Sequence, residues 1–174
     1  MPEIAGKKVF YAKGLRFSCI RCSNCCRHES GFVFLSWNDV SRLRAALNME
    51  YNEFRETFCR WIPSANGTSQ LSLREKSNLD CIFWKTGSAA ELNTNAQAVS
   101  GLPEAGGCSV YNSRPLQCRS YPFWPSVLKS GKNWKMTGQD CPGMDRGTLH
   151  SPDTIEKWLA QWENEPIISR SMHS

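Results

Sequence analysis

No stretch of the chain approaches the roughly 20 consecutive apolar residues that a membrane-spanning helix needs. Its first eight residues, Met1-Pro2-Glu3-Ile4-Ala5-Gly6-Lys7-Lys8, contain none of the apolar core of a secretory signal, so a cytoplasmic location and no membrane partner are expected. Lys and Arg are scattered, with no run of five or more, and give no specific nucleic-acid signal. Familiar catalytic patterns are missing too: there is no Ser/His/Asp set, phosphate loop, HExxH or paired-carboxylate pattern. Histidine is scarce, with three in the chain. Any chemistry has to come from another residue type.

That residue is cysteine. Nine cysteines occur among 174 residues, and an odd number cannot form a complete disulfide framework. In a reducing compartment this density points to metal or redox chemistry. The formal charge of +5 counts every thiol as neutral. Eight thiolates holding two divalent ions would bring it close to zero, so global charge does not identify a partner. The length is that of a single domain, expected to span residues 1–174, and 40% hydrophobic residues can bury a core. Seven Trp and eight Phe predict that this core is rich in aromatic rings.

Periodicity and end signals predict the elements. Residues 1–18 read as an extended lead-in, with Val9, Tyr11, Leu15 and Phe17 in loose alternation. Gly31–Leu35 is an apolar run suited to a buried strand. Ser36 and Asp39 form a capping-box pattern opening a helix to about Leu47, with Val40, Leu43 and Leu47 on its inner face. A second helix is expected from Met49 to Trp61, ended by Pro63. Short strands follow at Gln70–Arg74, Cys81–Trp84 and Cys108–Tyr111, and a helical turn at Arg114–Arg119. Residues 88–107, rich in Ala, Asn, Ser and Gly, are expected to be a flexible surface loop. The clearest helix starts at Ser151-Pro152 and aligns Ile155, Trp158, Leu159 and Trp162.

The chemistry concentrates in Cys19-Ile-Arg-Cys22-Ser-Asn-Cys25-Cys26. Two residues between cysteines let a tight turn place both thiolates on one metal, and two such spacers in tandem put three sulfurs on one loop. Because the peptide joining Cys25 and Cys26 is planar, their side chains are expected to diverge, and Cys26 to face a second metal or another iron of one cluster. Cys81, Cys108, Cys118 and Cys141 lie at turns or element ends, where a ligand is easily presented, and complete a set of eight. Cys59 falls within the expected second helix and packs as a small hydrophobe.

These residues resemble the YkgJ-like cysteine cluster family, the CxxCxxCC zinc- or iron-chelating domain. The signature is present whole as Cys19 to Cys26 followed by Arg27. So are Cys81-Ile-Phe, the block from Cys108 through Tyr111, Arg114-Pro-Leu-Gln-Cys118-Arg119, Tyr121 and Phe123-Trp124, and Cys141-Pro-Gly143. The resemblance covers roughly residues 15–147 and implies eight cysteines acting together, with Cys59 outside the set. The segment between Cys81 and Cys108 departs from it, being longer than the family's usual short turn. Members are often labelled Fe–S oxidoreductases. The implied cofactor is an iron–sulfur cluster or iron, alternatively zinc; metal ions are the partners, with a protein redox partner if the centre is redox-active. The fold expected is a small α+β domain of helices and short strands, its loops tied by a multi-cysteine metal centre. Arg114, Arg119 and Tyr121 are the candidate cofactor-binding residues. The arginines, with Arg21 and Arg27, could bind an anion, donate to thiolate sulfur, or balance thiolate charge. Tyr121 and Tyr111 could donate a proton or pack beneath the site. His28, the histidine near the cluster, is expected to face solvent.

Overall fold

A computed structural model describes residues 3–4, 7–87 and 106–171. In chain order the strands are β1 (Glu3–Ile4), β2 (Lys7–Lys8), β3 (Leu15–Phe17), β4 (Cys59–Pro63), β5 (Thr68–Leu73), β6 (Trp84–Thr86), β7 (Gly106–Cys108), β8 (Met144–His150) and β9 (Ser169–Ser171). The helices are α1 (Trp37–Leu47), α2 (Tyr51–Phe58), α3 (Leu116–Arg119), α4 (Pro125–Leu128), α5 (Gly131–Asp140) and α6 (Pro152–Asn164). Short 3₁₀ turns lie at Asn24–Cys26 and Tyr111–Ser113. The fold class is α+β, as expected. The chain forms two compact units, residues 1–24 with 120–164 and residues 25–119 with 165–174.

In the first unit β3 pairs antiparallel with β8, with a register shift between Arg16 and Phe17. Its core is aromatic: Tyr11, Phe17, Phe123 and Trp134 are buried with Val127, Leu128, Met144 and Ile155. Helix α6 begins where Ser151 and Pro152 predict, the Ser151 hydroxyl accepting from the Thr154 N–H at 3.2 Å. Ile155, Trp158 and Leu159 turn to the core, and the Trp162 indole donates to Ser120 at 3.1 Å. Helices α4 and α5 and strand β8 have no counterpart among the sequence expectations. The apolar positions of α5 are too few to show a stripe, since Trp134 alone is buried there.

In the second unit β5 is the central strand. It pairs with β4 on one side and β9 on the other, and Phe34 bridges to Ser72 beyond the end of β9. The Gly31–Leu35 run therefore backs onto β5 as a bridge rather than a regular strand, with Leu35 fully buried. The expected long second helix is corrected: α2 stops at Phe58, and Cys59–Pro63 is strand β4, so neither Cys59 nor Trp61 is helical. Pro63 favours an extended residue before it. Asn66-Gly67 closes the β4–β5 hairpin with Gly67 at φ +75, a conformation glycine adopts freely. Cys59 sits in the core with Leu71, Leu73, Phe54 and Phe83, packing as expected but from a strand. Strand β7 takes in Gly106 and Gly107 from the expected surface loop, pairing them with Thr86 and Lys85. Residues 88–105 lie outside the described residues. Tyr111–Ser113 is a 3₁₀ turn, not the end of a strand.

Asp39 links the capping box to the cysteine-bearing part of this unit. It is 1% exposed. One carboxylate oxygen accepts from the Ser36 N–H at 3.1 Å and the Ser36 hydroxyl at 2.9 Å. The other accepts from Arg42 at 3.0 Å and from the Leu116 N–H at 2.8 Å, two residues before Cys118. Asp39→Ala removes the carboxylate that two buried N–H groups donate to, a loss of about 1–3 kcal/mol each. Urea unfolding should show the variant destabilised by about 3 kcal/mol.

Candidate metal centre

Cysteines occur as a set in each unit. The first unit holds Cys19, Cys22 and Cys141, on two chain segments that hydrogen bonds draw together. Ser18, just before Cys19, donates its N–H to the Gly143 carbonyl at 3.1 Å. Asn24, just after the Cys19–Cys22 loop, donates from its side chain to the Asp140 carbonyl at 3.1 Å. Both ends of the loop are thus tied to the two flanks of Cys141. Gly143 is required by this approach, because a Cβ there would lie 2.3 Å from the Ser18 carbonyl oxygen. In and just after the loop Arg21 and Ser23 take φ of 58° and 65°, left-handed conformations that cost non-glycine residues energy and turn the chain sharply.

Besides the core residue Cys59, the second unit holds Cys25, Cys26, Cys81, Cys108 and Cys118. Contrary to the expected divergence, the Cys25 and Cys26 sulfurs lie 3.5 Å apart, because a 3₁₀ turn folds the backbone between them. The Cys81 N–H donates to the Cys26 carbonyl at 2.8 Å, joining the cluster to the next cysteine-bearing loop. Cys108 lies opposite Trp84 in the β6–β7 ladder. Cys118 sits on α3, whose start is fixed by Asp39, while Gln117 accepts from the Phe34 N–H at 3.0 Å and donates to the Phe32 carbonyl at 2.6 Å. The segment following the cysteine cluster is thereby held against α3.

The electrostatics are those of crowded sulfur. The Cys25 thiol is lowered to about 7 by the hydrogen bond from Cys26, helped by Arg114 and by its own backbone N–H. Cys26 is pushed up by that same bond, by burial, and by the charges of Cys25, Cys118 and Cys81. Burial also raises Cys81 and Cys118, and raises Cys108 to about 11. Against this, the backbone N–H groups of Phe83 and Trp84 near the Cys81 sulfur, and that of Val110 near the Cys108 sulfur, pull these thiols down. Such donors stabilise thiolate over thiol and orient a ligating sulfur.

Of the three candidate cofactor-binding residues, Arg114 carries the charge that acts on Cys25, Cys108 and Cys118. Its guanidinium lies 3.7 Å over the Tyr111 ring and its Nε donates to the Tyr111 carbonyl. Arg119 pairs with Glu165 at 3.1 Å. Tyr121 belongs to the first unit and packs edge-on against Phe17 and Trp124. His28 is exposed, His150 bonds the Phe17 carbonyl at 3.0 Å, and His173 lies outside the described residues. The positioning groups Asp39, Asp80, Gln117 and Gly143 were not identified as such from the sequence. Asp39 carried a signal as part of the capping box, and Gln117 and Gly143 as members of the motif blocks around Cys118 and Cys141.

The donor chemistry fits a thiophilic metal. A tetrahedral ion with metal–sulfur bonds of about 2.3 Å has sulfur–sulfur edges of about 3.8 Å, close to the Cys25–Cys26 separation. Among the described residues no three Cys, His, Asp or Glu side chains already stand as a closed cage. The metal itself would draw the remaining sulfurs in, coupling binding to folding.

The family model described as CxxCxxCC, putative zinc- or iron-chelating domain, matches residues 18–142. No solved structure matches the chain.

Gly143→Ala should push the Ser18 and Cys141 segments apart and destabilise the protein by about 1–3 kcal/mol. In metal-free protein, mass-spectrometric alkylation should label Cys141, now 9% exposed, several-fold faster than in wild type.

Proposed function

Because the chain belongs to the CxxCxxCC family of zinc- or iron-chelating domains, we propose that it holds zinc or iron as tetrahedral thiolate sites ligated by Cys19, Cys22, Cys25, Cys26, Cys81, Cys108, Cys118 and Cys141. The observation that carries this reading is the 3.5 Å separation of the Cys25 and Cys26 sulfurs, which suits two ligands of one ion. Thiolates ending different irons of a cubane cluster stand much further apart. When bound, the metal supplies charge compensation for crowded thiolates and a cross-link between loops. The protein's residues supply the rest: N–H donors at Cys81 and Cys108, and the Arg114 charge beside Cys25, Cys108 and Cys118. Thiols at this density call for a reducing compartment, which supports a cytoplasmic location.

A second reading is an iron–sulfur centre with an oxidoreductase role and a protein redox partner. The buried Phe83, Trp84 and Val110 beside Cys81 and Cys108 favour it, since a dry apolar shell tunes a cluster's potential. Elemental analysis and an absorption spectrum of anaerobically purified protein separate the two. Zinc or iron without acid-labile sulfide is expected. Broad charge-transfer absorption with stoichiometric sulfide would overturn the mononuclear reading in favour of the second.

Substitution divides the nine cysteines. Cys22→Ser should lose at least one metal equivalent or fail to fold. Cys59→Ser should keep the wild-type metal content while losing about 1–3 kcal/mol of stability, because a hydroxyl replaces a thiol that is 2% exposed. Equal loss of metal in both variants would contradict the division.

A further inference from the structure

We propose that Arg27 is a positioning residue that preassembles three ligand-bearing segments of the second unit, a role that rests on the metal-binding reading above. Arg27 immediately follows Cys26. Its Nε donates to the Asp80 carboxylate at 3.0 Å, and Asp80 immediately precedes Cys81. The guanidinium carbon lies 3.8 Å over the Trp84 ring, and Trp84 faces Cys108 across the β6–β7 ladder. One side chain thus reaches the neighbours of Cys26, Cys81 and Cys108.

The surroundings are built to receive it. Asp80 is 3% exposed, its second carboxylate oxygen accepts from the Asn78 amide at 3.0 Å, and the Asp80 N–H is held by the Asn78 side-chain oxygen at 3.2 Å. The indole rests on Gly106, where a Cβ would fall 2.5 Å from the ring, so a glycine lets Trp84 lie in place for stacking. Backbone bonds run in parallel, from Cys81 N–H to the Cys26 carbonyl and from Trp84 N–H to the Cys81 carbonyl. A planar guanidinium can pair with a carboxylate and stack flat on an indole at once, whereas an ammonium has no flat face to stack. Ordering the three loops before the ion arrives removes part of the entropy cost of binding.

The test is the zinc affinity of the full chain, measured by competition with a chromophoric chelator, using zinc(II) alone. Arg27→Gln should weaken zinc binding about 10- to 100-fold at unchanged stoichiometry, the range seen when groups behind metal ligands are removed. Arg27→Lys, which keeps the ion pair but not the stack, should recover part of that loss. Asp80→Asn, close in size, should weaken binding as well, and the double variant Arg27→Gln/Asp80→Asn should be no worse than Arg27→Gln alone. If Arg27→Gln does not fold, Asp80→Asn compared with Arg27→Lys decides the matter by the same readout. Affinity within twofold of wild type in the folded variants, or losses that simply add in the double variant, would overturn the clasp while leaving metal binding intact. A wild-type chain that takes up no zinc or iron would instead remove the reading on which the clasp rests.

Discussion

Loops that carry cysteines must be brought to one another before an ion can bridge them. In this chain hydrogen bonds made beside the cysteines do that work. Ser18, next to Cys19, binds Gly143; Cys81 binds the Cys26 carbonyl; Leu116, two residues from Cys118, binds buried Asp39. Cys108 is fixed by its place in a short ladder opposite Trp84. Each contact is ordinary in strength, of order 1 kcal/mol net. Together they narrow the conformations of segments far apart in sequence, and the geometry of the sulfurs follows from them. The hydrophobic clusters of the two units form the frame to which these contacts are anchored.

Crowded sulfur is costly to ionise without a cation. Burial and neighbouring thiolates hold Cys81, Cys108 and Cys118 above the usual thiol range, and the Cys25 and Cys26 sulfurs stand within hydrogen-bonding distance. A divalent ion reverses this balance, because it takes thiolates and releases their protons. Backbone N–H groups near Cys81 and Cys108 already favour the ionised form of these two thiols. Clustered thiolates suit a thiophilic metal on chemistry alone.

The cysteine cluster and its family were legible because the CxxCxxCC spacing has few other uses, whereas the contacts that place the cysteines were not. Ser36/Asp39 and Ser151-Pro152 gave correct helix starts, since capping acts over three residues and leaves a local signature. The second helix was read too far because Tyr51, Phe54, Phe58 and Trp61 keep helical spacing. The decisive signal lay downstream, in Pro63 and Asn66-Gly67, which turn Cys59–Pro63 into a hairpin arm. Cys25 and Cys26 were expected to diverge on the planarity of one peptide, but the dihedrals on either side bring the sulfurs together. Asp39 with Leu116 and Arg27 with Asp80 are contacts across 77 and 53 residues, beyond the reach of any local pattern.

Metal-edge X-ray absorption on the purified chain tests thiolate ligation most directly, because it reads the atoms bound to the ion. A first shell made of sulfur alone, at about 2.3 Å for zinc, is the expected result. A first shell of oxygen or nitrogen scatterers would contradict it.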